Sequence, residues 1–356
     1  MFDIPLREED KYLENYDYKL PRELIAQKPL KERHDSRLLI IFKDCIFHTK
    51  FTEILKILNV GDVLVFNNSK VLKTKLLGKK ETGGKCEITL IKKIDSCTWL
   101  CFIHAKNPKI GTRIVFEESN EKITAQILAS MENKFIVKFE KPVDEYLSKY
   151  GKYTLPPYIK NYPLEEERYQ TIFAKEKGSL ASPTAGLHFS EEILEKLKLK
   201  GVRFAFVTLH ISLGTFEPVR ENNILNHQMH SELFKITKEN ADIINNAKRL
   251  FVVGTTSLRV LESLERIEQS YGSTSIFIKP GYSFKHSYHG LFTNFHLPKS
   301  TLIMLVSAIV GRERIIRIYQ RCIELKYRFF SFGDASFIFN DHFDPSLNLD
   351  GFREEI

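Results

Sequence analysis

The sequence predicts an α/β protein interrupted by an all-β stretch, and three observations carry that prediction. From about residue 151 onward, strand-like and helix-like segments alternate, the pattern of an α/β layer with a largely parallel sheet. Between about residues 66 and 151 the texture changes to short β-prone runs separated by turn signals, as in a small antiparallel barrel or sandwich. No repeat or low-complexity segment appears, and 356 residues suffice for two or three domains. The all-β stretch therefore reads as an insertion. Residues 1–65 and 152–356 form one discontinuous α/β domain, and residues 66–151 form the inserted one.

In chain order, residues 20–27 read as a helix with Pro21 at its first position. Residues 36–42 read as a short strand. The apolar spacing at Phe51, Ile54, Leu55 and Leu58 is helical. Gly61 and Asp62 turn the chain into a strand over 63–66. The β-prone runs follow at 71–77, 86–91, 98–105, 113–116, 123–127 and 135–139, punctuated by Gly83-Gly84, Asn107-Pro108 and Gly111. Beyond Gly151, residues 190–200 form a helix capped by Ser190, with Glu191 and Glu192 in its first turn and Gly201 after its end. A buried-length strand over 202–210 comes next. Helices are then expected at 237–250, 257–267, 302–310 and 315–327, with strands ending near Gly254 and spanning 275–278.

Composition narrows the class. The chain is 43% hydrophobic and 28% charged, ordinary for a globular protein. No apolar run approaches membrane-spanning length, and Met1 to Pro5 lack a secretory pattern, so the expected compartment is the cytoplasm. Five scattered cysteines fit reduced, core-packed thiols, including the Cys97–Cys101 pair. The net charge of +8 favours a polyanionic partner such as nucleic acid.

Strand ends carry the polar chemistry. Gly254-Thr255-Thr256-Ser257-Leu258-Arg259 places a glycine, three hydroxyls and an arginine where a strand opens a helix, a setting suited to an anionic or polar ligand. Four further loops share that character: residues 181–189 (ASPTAGLHF), 210–219 (HISLGTFEPV), 291–301 (LFTNFHLPKST) and 327–335 (YRFFSFGDA). His227 and His230 are spaced to hold zinc on one helical face, but the H-E-x-x-H pattern is missing and no metal site is expected. Walker, G-x-G-x-x-G and G-x-S-x-G motifs are absent.

In order, these segments resemble one family, the queuosine-biosynthesis S-adenosylmethionine:tRNA ribosyltransferase-isomerases. The resemblance is nearly collinear from about Tyr16 to Ile338. It includes Y-D-Y-K-L-P from Tyr16, R-H-D-S-R-L-L from Arg33, G-D-V-L-V-F-N-N-S-K-V from Gly61, L-P-P-Y-I from Leu155 and E-R-Y-Q-T from Glu167. P-T-A-G-L-H-F, G-T-F-x-P-V, H-x-M-H-S-E, G-T-T-S, T-N-F-H-L-P and Y-R-F-F-S complete it.

The resemblance implies an α/β domain with an inserted β-barrel. It also implies transfer and isomerisation of the ribosyl unit of S-adenosylmethionine onto 7-aminomethyl-7-deazaguanine at the tRNA wobble position. Epoxyqueuosine-tRNA, adenine and methionine would be the products. S-adenosylmethionine is then a cosubstrate, no cofactor is permanently bound, and the protein is expected to act as a monomer. The implied acid–base groups are His188, His210 and His296, with Asp334 or Glu232 orienting them. Arg259 and Arg328 would hold phosphate or the methionine carboxylate. Thr184, Gly186, Thr215, Phe216, Thr255, Thr256 and Asn294 would line the cosubstrate site.

The chain departs from the family pattern at four places. His289 stands where an aspartate is usual, Ser182 replaces an alanine, Ser212 a glycine and Phe332 a tyrosine. An inactive tRNA-binding homologue and a methyltransferase are the competing classes. The second would need a glycine-rich first βα turn, which is not found.

Overall fold

A computed structural model describes residues 4–131, 133–160, 166–212 and 219–356. The chain divides into two compact units, Met1–Lys70 with Pro157–Ile356, and Val71–Pro156.

The first unit is built on a ten-stranded mixed sheet. Its strands lie in the order Ser270–Thr274, Glu232–Ile236, Arg203–Leu209, Asp62–Asn67, Arg249–Val253, Gly290–Asn294, Ala335–Phe339, Arg37–Ile41, Ile46–Lys50 and Phe352–Glu354. The four strands from Arg203–Leu209 to Gly290–Asn294 are mutually parallel. Arg37–Ile41 is also parallel to Ala335–Phe339. The remaining pairings are antiparallel, so the expectation of a largely parallel sheet holds only for the centre. One of them, Arg37–Ile41 with Ile46–Lys50, is a close return, and so short a connection joins antiparallel neighbours; the others pair strands more than 20 residues apart in sequence.

Both faces of the sheet are covered. Along Asp62–Asn67 every residue is buried. Val63 and Val65 pack into one apolar cluster, while Leu64 and Phe66 pack into the other. Period-2 side-chain alternation under two cores explains why this strand reads as a continuous apolar run. Phe292 and Phe337, directly opposite across their antiparallel pair, stack with centroids 4.0 Å apart.

Several element boundaries differ from the sequence expectation. Residues 20–27 form only the short 3₁₀ turn Arg22–Leu24. The backbone there is drawn into bonds with Phe329, which accepts from the Ala26 N–H and donates to the Leu24 carbonyl. The helix expected over 237–250 ends at Asn245, because Arg249 already begins a strand and grips Asp62 at 2.6 Å. The helix expected over 257–267 is Thr255–Glu262. The strand expected at 275–278 is instead Ser270–Thr274, paired with Glu232–Ile236. The last helix is Arg312–Glu324, three residues earlier than read. His227 and His230 lie outside any helix, so they share no helical face.

The second unit is a closed antiparallel barrel. Lys73–Lys80, Lys85–Lys93, Thr98–Ala105, Lys134–Phe139, Glu121–Met131 and Arg113–Glu118 pair in that order, and Lys79↔Val115 and Lys80↔Ile114 close the ring. Closure removes the exposed strand edges that an open sheet would leave. Alternate residues such as Ile88, Leu90, Ile114, Phe116, Ile123 and Val137 fill the interior. The helix Asp144–Tyr150, which the sequence reading missed, adds Tyr146 to this core. All five cysteines are free thiols.

Candidate functional site

Two parallel strands of the main sheet, Arg249–Val253 and Gly290–Asn294, deliver polar residues at their carboxyl ends, where α/β sheets gather ligands. The first strand runs into Gly254 at φ +89°, a left-handed conformation that glycine adopts without steric cost. The Gly254 N–H donates to the Phe292 carbonyl at 2.8 Å, tying the turn to the second strand. Thr255 and Thr256 then open the helix Thr255–Glu262.

A cavity of about 260 Å³ lies over these ends, walled by Thr184, Thr255, Thr256, Asn294 and His296 of the expected site. Tyr158, Ser182, Phe330 and Ser331, which are not among the site residues expected from sequence, line the cavity as well. Tyr158 and Ser331 share a hydrogen bond of 2.7 Å. Their signal was present in the P-P-Y-I and Y-R-F-F-S segments, but nothing local marked those side chains as partners.

Asn294 organises one wall. The Thr184 hydroxyl donates to Asn294 Oδ1 at 2.8 Å, and Asn294 Nδ2 donates to His188 Nε2 at 3.0 Å. With Nε2 accepting, the neutral His188 ring carries its proton on Nδ1 and donates to Ser36 Oγ at 2.9 Å. A continuous chain therefore runs from Ser36 through His188 and Asn294 to Thr184. Burial, and then the nearby Arg328 and Arg33 charges, push the His188 pKa down to about 3.

His296 is likewise pushed down to about 3 by burial, and its Nε2 lies 2.9 Å from Thr293 Oγ1. Its backbone is pinned by Tyr18, whose hydroxyl donates to the His296 carbonyl, and by Tyr319, which accepts from the His296 N–H at 3.2 Å. His210 is half-buried. Its Nδ1 has no hydrogen-bond partner among the described residues, and burial lowers its pKa while Glu176 acts in the opposite direction.

The expected carboxylates are committed elsewhere. Asp334 accepts from the Arg37 N–H and Nε, both at 3.1 Å, and from the Arg328 N–H at 2.8 Å. Glu232 pairs with Arg259 at 2.5 Å and accepts from the Ser212 N–H at 2.8 Å. The Arg259 guanidinium is buried, and its Nε and Nη2 have no partner among the described residues. Arg328 donates through Nη2 to the Lys28 carbonyl at 2.6 Å. Gly186 packs under the Phe173 ring, where an added Cβ would come within 2.7 Å, rather than lining the cavity. Thr215 and Phe216 lie outside the described residues.

His289 stands away from this site. It precedes the strand Gly290–Asn294, whose far end carries Asn294, and its Nδ1 accepts from the Leu250 N–H at 3.2 Å. At about 3.3 Å per residue, the strand separates the two positions by more than 13 Å. Among the described residues, no group of three or more His, Cys, Asp or Glu side chains is placed to hold a metal ion. No helix there is long and apolar enough to cross a membrane.

Comparisons with known proteins place the chain in a family. A relative named S-adenosylmethionine:tRNA ribosyltransferase-isomerase, from Thermoanaerobacter sp. (strain X514), is 48% identical over 336 residues, spanning 90% of this chain and 98% of its own length. The crystal structure of the S-adenosylmethionine tRNA ribosyltransferase from Thermotoga maritima superposes with a TM-score of 0.51 at 34% identity, covering 91% of this chain and 99% of its own. A family model described as queuosine biosynthesis protein matches residues 13–338, which include both strand ends, the helix start and every cavity wall described above. The chain belongs to the queuosine biosynthesis protein family.

Proposed function

We propose that this chain is an S-adenosylmethionine:tRNA ribosyltransferase-isomerase. It transfers the ribosyl unit of S-adenosylmethionine to 7-aminomethyl-7-deazaguanine at the wobble position of tRNA and isomerises it. Epoxyqueuosine-tRNA, adenine and methionine are the products. The observation that carries the reading is the near-full-length identity to a relative of that name. The cavity at the ends of the central parallel strands, largely apolar with Thr184, Thr255, Thr256 and Asn294 in its wall, supports it. The enzyme works in the cytoplasm as a monomer.

The sulfonium of S-adenosylmethionine acidifies the adjacent ribose 5′ C–H. A base removes that proton, and the electron pair opens the ribose by breaking the C4′–O4′ bond. O4′ becomes the C1′ aldehyde oxygen as adenine leaves with a proton. The acceptor amine adds to C4′ of the vinyl sulfonium, and the C5′ carbanion so formed closes on C1′ to leave an alkoxide. Closure to an epoxide expels methionine as a neutral thioether. The steps require a base, a donor for the departing adenine and a shell that excludes water.

In this scheme Thr184, Thr255, Thr256 and Asn294 bind the cosubstrate. His188 has both ring nitrogens in hydrogen bonds, so it serves best by fixing the Asn294 amide. His296 is held neutral at the cavity wall as a hydrogen-bonding group. His210 is the acid–base candidate that remains: it is half-buried, its unpartnered Nδ1 is enclosed beside Gly178, and it is not among the cavity walls, so its other edge would have to meet the substrate. Arg259 keeps its Nε–Nη2 edge for a carboxylate, the side-on geometry that guanidinium favours. Asp334 and Glu232 act at one remove, by holding Arg37 and Arg259.

The test is adenine release from S-adenosylmethionine. Release that depends on precursor-containing tRNA supports the reading. Tight tRNA binding with no adenine release would identify an inactive homologue instead.

A further inference from the structure

We infer that the outer face of the barrel carries a docking surface for the tRNA sugar–phosphate backbone, centred on Lys79, Lys80, Lys85 and Lys106. The inference rests on the tRNA-modifying reading above and adds where the polyanion is held.

Charge is unevenly distributed along the chain. Residues 71–156 contain sixteen Lys and Arg against ten Asp and Glu, and so hold six of the eight net positive charges in about a quarter of the sequence. The barrel fold concentrates part of that excess at one corner. Lys79 and Lys85 are directly opposite across an antiparallel pair. The neighbouring register, Cys86↔Ala105, sets Lys85 against Lys106 on the same outer face. Lys80 Nζ donates to the Lys106 carbonyl at 2.7 Å, drawing a fourth ammonium to the corner.

Like charges directly opposite one another destabilise a sheet. Among the described residues, none of the four lysines lies within ion-pair distance of a carboxylate. Lys75, on the same strand, shows the contrast, since it pairs with Glu87 at 2.8 Å.

Lys79, Lys85 and Lys106 line a groove of about 950 Å³ across the outer face, together with Leu77 and Val115. Glu87, already paired with Lys75, and Glu117 and Glu118 line it as well, so the positive excess lies at the lysine corner and not along the whole groove. His104 is the one aromatic ring among the described residues that line the groove, with no Phe, Tyr or Trp beside it, so the surface offers bases little to stack on. The chemistry fits phosphates held in register without base readout, which sets position rather than sequence choice.

The experiment uses the full chain with the paired substitution Lys79→Glu/Lys85→Glu. A control, Lys198→Glu/Lys238→Glu, makes the same charge change on exposed helical positions of the other unit. Affinity for precursor tRNA is measured across a salt series, together with affinity for S-adenosylmethionine and thermal stability. The barrel variant should bind tRNA roughly ten-fold more weakly near physiological salt. The slope of log K against log[salt] should become shallower by about 1 to 2. Its affinity for S-adenosylmethionine and its adenine release at saturating tRNA should match the wild type.

Equal tRNA affinity and slope in the barrel variant, beside a wild type that binds and reacts, overturns the surface and leaves the proposed function standing. An equal loss in the control also overturns it, because the effect would then follow net charge rather than place. A wild-type chain that binds no tRNA overturns both the surface and the function.

Discussion

Burial holds His188 and His296 neutral, and that has a signature in stability. Both rings have folded pKa values pushed down to about 3, against an ordinary value of 6.5. A depressed pKa means that the unfolded chain binds more protons between those two values. The stabilisation is therefore present above about pH 6.5 and is lost as pH falls towards 3. The upper bound is roughly 4 to 5 kcal/mol per ring. Denaturant unfolding at pH 7 and pH 4 should show His296→Gln losing less stability over that interval than the wild type, and an equal loss in both would contradict the buried-neutral assignment. The three histidines should also separate kinetically. His210→Ala should slow adenine release by roughly 10²-fold with little change in thermal stability, as expected of an acid–base group. His188→Ala should lower stability as well, because it leaves Asn294 Nδ2 and Ser36 Oγ without their partner.

At the scale of elements, the site depends on how two backbone turns meet. Gly178, at φ +142°, lies against the His210 ring, and an added Cβ would come within 2.8 Å of it. Gly178→Ala should displace the ring and reduce turnover, and activity at the wild-type level would remove His210 from the acid–base role. The strand Glu232–Ile236 and the helix Thr255–Glu262 are joined by the buried Glu232–Arg259 pair. Glu232→Gln removes the charge partner of a buried guanidinium and should cost about 3 to 5 kcal/mol, readable as a lowered denaturation midpoint. Most of these elements were legible in the sequence because their apolar periods matched their burial, as in Asp62–Asn67 and the Ser190-capped helix Glu191–Leu199. Errors fell where distant partners decide the local structure. The Leu24–Phe329 backbone bonds replaced a helix, and the Arg249–Asp62 pair marks the early start of a strand. Neither partner is visible from neighbouring residues.

The molecule as a whole holds separate apolar cores in its two units. Phe116 is fully buried inside the barrel, so Phe116→Ala should cost about 3 to 5 kcal/mol there. Hydrogen exchange should then show lost protection in the barrel strands while the central strands of the large sheet keep theirs, and uniform loss would mean one cooperative unit. The change of texture along the sequence disclosed the barrel because closed antiparallel strands alternate visibly. The site was legible as a set of polar loops, but its wiring was not: the Ser36–His188–Asn294–Thr184 chain joins residues far apart in sequence. The departure at His289 likewise gained its meaning only from the fold, which puts it at the opposite end of a strand from Asn294. Ribosyl transfer is read directly by nucleoside mass spectrometry of precursor tRNA after incubation with S-adenosylmethionine labelled in either the ribose or the methyl group. A ribosyltransferase-isomerase leaves ribose label in a nucleoside with the mass of epoxyqueuosine, puts no methyl label in tRNA, and releases one adenine per modified nucleoside. Methyl label in the tRNA, or unmodified precursor with no adenine released, would contradict ribosyl transfer.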